Sequence, residues 1–314
     1  MSTQVTEQET ETEAETEAEA ETEGESAGQQ RRLTAKHDRA DMRQRAEEEL
    51  SGADETVELK VFRYDPEVEG KSDPRFDTFE IPYDPEVEGK SDPRFDTFEI
   101  PFTKGMTVLD ALIFARDHFD SSLTFRHSCR QAICGSDALF VNGSQRLGCK
   151  TQMADLEWPV RVEPLPHADV VKDLVVDMEH FYDQMESVEP YFQTEELPSG
   201  EHEEQRQDRA NREKIKMSTR CIWCAACMSS CNIAAGDEKY LGPAAINKAY
   251  RFAMDEREGG DMTEHRLNII EQEHGVWRCQ TQFSCTNVCP KDIPLTEHIQ
   301  ELKREAVKSN LKFW

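Results

Sequence analysis

Ten cysteines fall into three groups along this 314-residue chain: Cys129, Cys134 and Cys149, then Cys221, Cys224, Cys227 and Cys231, then Cys279, Cys285 and Cys289. The second group is the densest, CIWCAACMSSC, with the spacing C-x2-C-x2-C-x3-C. Thiolates at that spacing wrap the backbone tightly round a compact object with several iron corners. Zinc sites usually pair two widely separated C-x2-C hooks, and a third cysteine only three residues later fits them poorly. Disulfides suit the pattern less still, because clustered thiols in a reducing compartment bind metal more often than they pair. Iron–sulfur ligation is the chemistry to which the residue types and spacing point.

The third group, CQTQFSCTNVCP, ends on Cys289-Pro290. In the bacterial ferredoxin run the fourth cysteine precedes a proline and serves the neighbouring cluster. Cys289 is therefore expected to complete Cys221, Cys224 and Cys227 as the ligands of a 4Fe–4S cluster. Cys231, Cys279 and Cys285 remain, and Gln282 stands where a ferredoxin would place one more cysteine. Three thiolates suit a 3Fe–4S cluster, which lacks one iron corner. The first group, SCRQAICGSDALFVNGSQRLGC (128–149), is similar to a plant-type ferredoxin loop, with Asp137 in the place of a cysteine. A carboxylate oxygen is harder than a thiolate but can ligate iron. The same aspartate could instead cap a turn beside an incomplete site, and at this point both readings stand.

The elements that must hold these loops are legible in outline. LKVFRY (59–64) alternates as a strand. YDPEVEGKSDPRFDTFEIP occupies 64–82 and recurs unchanged at 83–101. Two perfect copies are not a solenoid, which needs several diverged units, and they read as a recent tandem duplication or an artefact of the gene. One copy supplies a turn and a strand, FDTFEI, a hairpin-like unit with what precedes it. The second copy either loops out or replaces the first, since loop-closure cost grows slowly with length. Thr107 is an expected N-cap for VLDALIFARDHF. Beyond the cysteine loop come ALFV, a turn at Asn142-Gly143, a strand through RLGCKT and a strand in PVRVEPLP. From about residue 167 MEHFYDQMESV, PAAINKAYRFAMDE and PLTEHIQELKREAVK have helical periodicity, and the polar stretch 194–212 reads as a loop running into a helix. The expected class is α+β, with a domain at 57–166, a helical domain at 167–314 and an acidic tail at 1–56.

That tail dominates the charge balance. The formal net charge is −27, and residues 1–30 contribute ten glutamates with no lysine or arginine. Glu-Thr and Glu-Ala repeats have little to bury and are expected to be disordered. The acidic excess argues against nucleic acid or an anionic lipid surface as a direct partner. It also suits a salty cytoplasm, where screening makes dense like charge tolerable. No apolar run reaches the length of a membrane span, and the acidic N-terminus lacks the features of a signal or transit peptide.

The three cysteine sets in this order resemble the iron–sulfur subunit of succinate dehydrogenase (succinate:quinone oxidoreductase) and of its relative fumarate reductase. The likeness covers about 57–308 and rests on SCRQAICGSD, CIWCAACMSSC, LGPAAINKAYRFAMDERE and the C-x5-C-x3-CP ending. It implies an N-terminal β-grasp plant-type ferredoxin domain and a C-terminal all-α bacterial-ferredoxin-like domain. It also implies a 2Fe–2S cluster on Cys129, Cys134, Asp137 and Cys149, since family members carry either Cys or Asp at the third position. The implied role is a wire from FAD on a flavoprotein partner, through 2Fe–2S, 4Fe–4S and 3Fe–4S, to quinone at membrane anchor subunits. The implied place is peripheral, on the cytoplasmic face of the cell membrane. Asn232 stands after Cys231 where the family commonly has Pro, no Trp follows nearby, and Gln280 stands where His is common. No quinone-contact residue is therefore carried over. The rivals are the same subunit working as a fumarate reductase, a subunit with two 4Fe–4S clusters in another flavoenzyme, and a zinc-stabilised scaffold. Gln282 and the 128–149 loop disfavour the second of these.

Overall fold

The computed structural model describes residues 42, 44–53, 55–65, 93–193, 205–258 and 260–311. Strand β1 (Thr56–Arg63) alternates Val57, Leu59 and Val61 into the core, the period-2 pattern of a half-buried strand. It pairs antiparallel with β2 (Arg94–Pro101), Thr56 opposite Pro101 and Arg63 opposite Arg94. The strand of the second repeat copy is thus the one in the sheet, while its counterpart in the first copy, 75–82, lies outside the described residues. β5 (Val160–Glu163) runs parallel to β1, and β3 (Ala138–Val141) and β4 (Ser144–Leu147) extend the sheet, giving the order β2-β1-β5-β3-β4.

Helix α1 (Val108–His118) closes this sheet. Thr107 caps it as expected, with a reciprocal capping box: Asp110 N–H donates to Thr107 Oγ1 at 3.2 Å and Thr107 N–H donates to Asp110 Oδ2 at 3.0 Å. Val108, Ala111, Leu112 and Ala115 then fall on one face and are buried with the sheet residues. Asn142 and Gly143, at φ 45° and 78°, make the tight β3–β4 turn. β4 does not continue through RLGCKT. It stops at Leu147, whose carbonyl accepts from the N–H groups of Lys150 and Thr151, and this turn carries Cys149.

The region after 166 is not all helical. It opens on a short hairpin, β6 (Val170–Lys172) with β7 (Val175–Val176). The hairpin turn is set by Asp173, buried at φ 47°. Its carboxylate accepts from Arg63 Nε and from the N–H groups of Tyr64 and Thr124 at 2.9–3.0 Å. Leu174 then packs into the sheet core while Val176 packs into the helical core. Strands of three and two residues are too short for periodicity to reveal.

The helical part comprises α2 (Glu179–Glu186), α3 (Arg209–Ile215), α4 (Ala226–Ser229), α5 (Asn232–Gly236), α6 (Gly242–Ala253), α7 (Gly260–Ile270), α8 (Ser284–Asn287) and α9 (Leu295–Leu311). α6 is its centre: Ala244, Ala245, Ile246, Ala249, Tyr250 and Ala253 are buried, so it is wrapped on most sides. The tail expected through residue 56 is helical over 44–51, and Ala46 there is buried. Among the described residues no helix is long and apolar enough to cross a membrane.

Candidate iron–sulfur centres

The loop before β3 is bent by three residues at positive φ: Arg130 at 56°, Ala132 at 54° and Gly135 at 73°. Ala132 carries the strain expected of a residue with a Cβ in that region. The bends turn backbone N–H groups onto sulfur. Cys129 Sγ accepts from Gln131, Ile133 and Cys134 at 3.2–3.4 Å, and Cys149 Sγ accepts from Ala132 at 3.2 Å. Donors aimed at sulfur favour thiolate, and those of Gln131, Cys134 and Ile133 bring the Cys129 thiol down to about 7. Cys149 is pushed up to about 12, first by burial and then by the neighbouring Asp137. Cys134 is exposed, and its sulfur lies 3.1 Å from Ser136 Oγ.

Asp137 is 2% exposed. Its Oδ2 accepts from the Cys149 N–H at 2.5 Å, while Oδ1 is buried and has no hydrogen-bond partner. Turn capping accounts for one oxygen only. A buried carboxylate oxygen left unmet is costly, and a cation beside Oδ1 would relieve it. The donor set of three thiols and this oxygen therefore fits an iron cluster.

The other seven cysteines separate into two hollows. Cys221, Cys224, Cys227 and Cys289 line one of about 350 Å³, walled by Phe181, Trp223, Ile293 and Leu295. Cys231, Cys279 and Cys285 line one of about 340 Å³, walled by Tyr240, Phe283 and Ile299. Each hollow draws its closing cysteine from the other loop. Burial raises the thiols of Cys224, to about 12, and of Cys227 and Cys285, so positive iron is what would draw thiolates there. Among the described residues no three His, Cys, Asp or Glu side chains are placed to hold a single metal ion; a multi-iron cluster takes each thiolate at a separate corner.

Some neighbours carry no sequence signal of their own. Thr296 Oγ1 lies 3.6 Å from Cys285 Sγ, Lys303 Nζ donates to the Cys279 carbonyl at 2.9 Å, and Lys248 Nζ lies 5.4 Å from the centre of the Trp223 ring, close enough to Cys221 to interact with its charge. Hydrogen bonds and charge near sulfur tune cluster potentials.

A mixed sheet whose loop gathers three cysteines and a buried aspartate, followed by helices that enclose two cysteine-lined hollows, presents the donor sets of an iron–sulfur protein. The pattern of a 2Fe–2S iron–sulfur cluster binding domain matches residues 83–183, and that of a 4Fe–4S dicluster domain matches 217–293. The first match begins at Tyr83, where the second repeat copy starts. The chain is 39% identical over 257 residues to the fumarate reductase iron–sulfur subunit of Mycobacterium tuberculosis, covering 82% of this chain and 95% of that one. It is 38% identical over 257 residues to the succinate dehydrogenase iron–sulfur subunit of Paracoccus denitrificans, covering 82% and 90%. It is 41% identical over 201 residues to a mitochondrial succinate dehydrogenase iron–sulfur subunit of Oryza sativa, covering 64% and 71%. In fold it is similar to a chain of the Mycobacterium smegmatis Sdh1 complex in the apo form, with a TM-score of 0.65 at 23% identity over 81% of this chain and 96% of that one. The chain belongs to the family of iron–sulfur subunits of succinate dehydrogenase and fumarate reductase.

Proposed function

We propose that this chain carries electrons from a flavoprotein that oxidises succinate at FAD to a quinone held at membrane anchor subunits. In this reading the sheet domain is a β-grasp ferredoxin domain whose Cys129, Cys134, Asp137 and Cys149 hold 2Fe–2S. Cys221, Cys224, Cys227 and Cys289 hold 4Fe–4S, and Cys231, Cys279 and Cys285 hold 3Fe–4S. When bound, such clusters take up and release electrons singly, which suits a junction between a two-electron flavin and a quinone. The chain's own residues hold the ligands apart, wall the two inner hollows with apolar side chains and direct N–H groups at the outer sulfurs.

The observation that supports this most is the partition of seven cysteines into sets of four and three, with Gln282 rather than a thiol on the second rim. The unmet Oδ1 of Asp137 supports an oxygen ligand at the first site. Asp137→Ala is expected to abolish the 2Fe–2S signal in electron paramagnetic resonance of the assembled complex, while Asp137→Cys keeps it at a shifted potential. An unchanged signal in Asp137→Ala would place the fourth ligand elsewhere. Iron and acid-labile sulfide should match three clusters per chain; zinc in their place would overturn the whole reading.

A further inference from the structure

Gly135 sits in the first loop between Cys134 and Ser136, yet its nearest neighbours belong to the second. A Cβ built on Gly135 would lie 2.7 Å from Cys224 Cβ, 3.0 Å from the Ile222 carbonyl oxygen and 3.1 Å from Cys224 Cα. Real Cβ atoms essentially never approach so closely, so only glycine allows this crossing, and its φ of 73° adds a second reason. A second crossing joins the first loop to the third, beside Cys289, which lines the same hollow as Cys224. Lys150, next to Cys149, donates from Nζ to the carbonyl of Pro290, next to Cys289, at 2.8 Å. Gln145 Nε2 also donates from the sheet to the Ser229 carbonyl of the second loop at 3.3 Å.

We propose that Gly135 is a positioning residue for electron transfer. Its missing side chain sets the short gap between the first and second cluster sites, with Lys150 on Pro290 holding the other end. This rests on the cluster assignment proposed above. The step moves one electron with no bond made or broken: the first site is oxidised by one electron and the second is reduced by one. Tunnelling falls off exponentially with the gap, so a rim widened by one methyl group slows it while both sites remain loaded.

The test uses the assembled complex with Gly135→Ala, Lys150→Met and, as a control for backbone strain alone, Gly143→Ala. Gly143 has a φ of 78° but open space where its Cβ would stand. With both clusters reduced, paramagnetic resonance reads how strongly the second spin broadens and relaxes the first, an interaction that falls steeply with separation. Gly135→Ala and Lys150→Met should weaken this interaction and slow reduction of the second site by the first, with both signals at full intensity. Gly143→Ala should leave the interaction and the turnover unchanged. An unchanged interaction in either test variant that loads both clusters overturns the proposal, and so does an equal loss in Gly143→Ala. Should Gly135→Ala fail to assemble, the exposed Lys150→Met decides alone. Absence of either signal in the unaltered complex would instead refute the cluster assignment.

Discussion

The two loops of the helical domain, 221–231 and 279–289, are the same backbone written twice. Each follows a single 3-10 turn, Ser218–Arg220 or Val276–Arg278. Each has positive φ at its third and fifth residues, Trp223 at 58° and Ala225 at 60° in one, Thr281 at 60° and Phe283 at 65° in the other. Each continues into a one-turn helix and ends in a cysteine that closes the opposite hollow. The fourth residue differs: Cys224 in one loop, Gln282 in the other. Loop shape and thiol number are therefore separable. The left-handed residues curve the chain round each hollow whatever stands at the fourth position, and that one side chain decides whether the rim offers a fourth thiol.

The largest effect should come from making the loops alike by removal. Cys224→Gln is expected to abolish the reduced 4Fe–4S signal and lower bound iron, because that hollow keeps only three thiols; an unchanged signal would break the equivalence of the loops. The converse, Gln282→Cys, should erase the oxidised 3Fe–4S signal and add an iron to the third site. Persistence of that signal would show that the rim at 282 is out of reach of a cluster corner.

A smaller effect concerns what joins the loops. His298 on α9, just beyond the second loop, stacks on Tyr250 of α6 at 4.1 Å and donates from Nδ1 to Asn247 Oδ1 at 2.8 Å. Burial lowers its imidazole to about 4, with Glu301 opposing. The unfolded chain therefore binds the extra proton at higher pH than the folded one. The stability due to neutral His298 is complete above about pH 6.5 and is lost as pH falls toward 4, on the order of 1–3 kcal/mol. In His298→Phe the loss of stability between pH 6.5 and 4, followed by denaturant unfolding of the holo chain, should shrink by that amount; an unchanged profile would show that other groups carry it.

The smallest effect contrasts the diverged repeat with the exact one. Both cysteine loops have a place in the fold, whereas among the described residues the sheet holds one strand of the 64–101 duplication. Deleting residues 64–82 regenerates the same local sequence beside Arg63. It should change stability by no more than about 0.6 kcal/mol, the scale of one doubling of loop length. A large destabilisation would give the first copy a structural role.

Much of the fold was legible where the determinants are local. Thr107 announces a helix N-cap, Asn142-Gly143 a tight turn, and α6 and α9 a helical period. The hairpin at 170–176 was not, because Asp173 is set by Arg63, Tyr64 and Thr124, which are remote along the chain. The end of β4 at Leu147 was missed for a related reason: RLGCKT reads as strand, but Cys149 has to turn toward Asp137 and the 129–134 loop.

Which side chains offer sulfur or oxygen at iron–sulfur spacing was determined by the sequence alone. Thiol spacing, the Cys-Pro ending, Gln282 and Asp137 are local facts, and spacing constrains how tightly a short loop can wrap. Tertiary structure alone decided that Gly135 touches Cys224, that Lys150 reaches Pro290 and that Oδ1 of Asp137 is buried without a partner. Those contacts join segments far apart in the chain. They depend on how two separate cores dock, which no local pattern encodes.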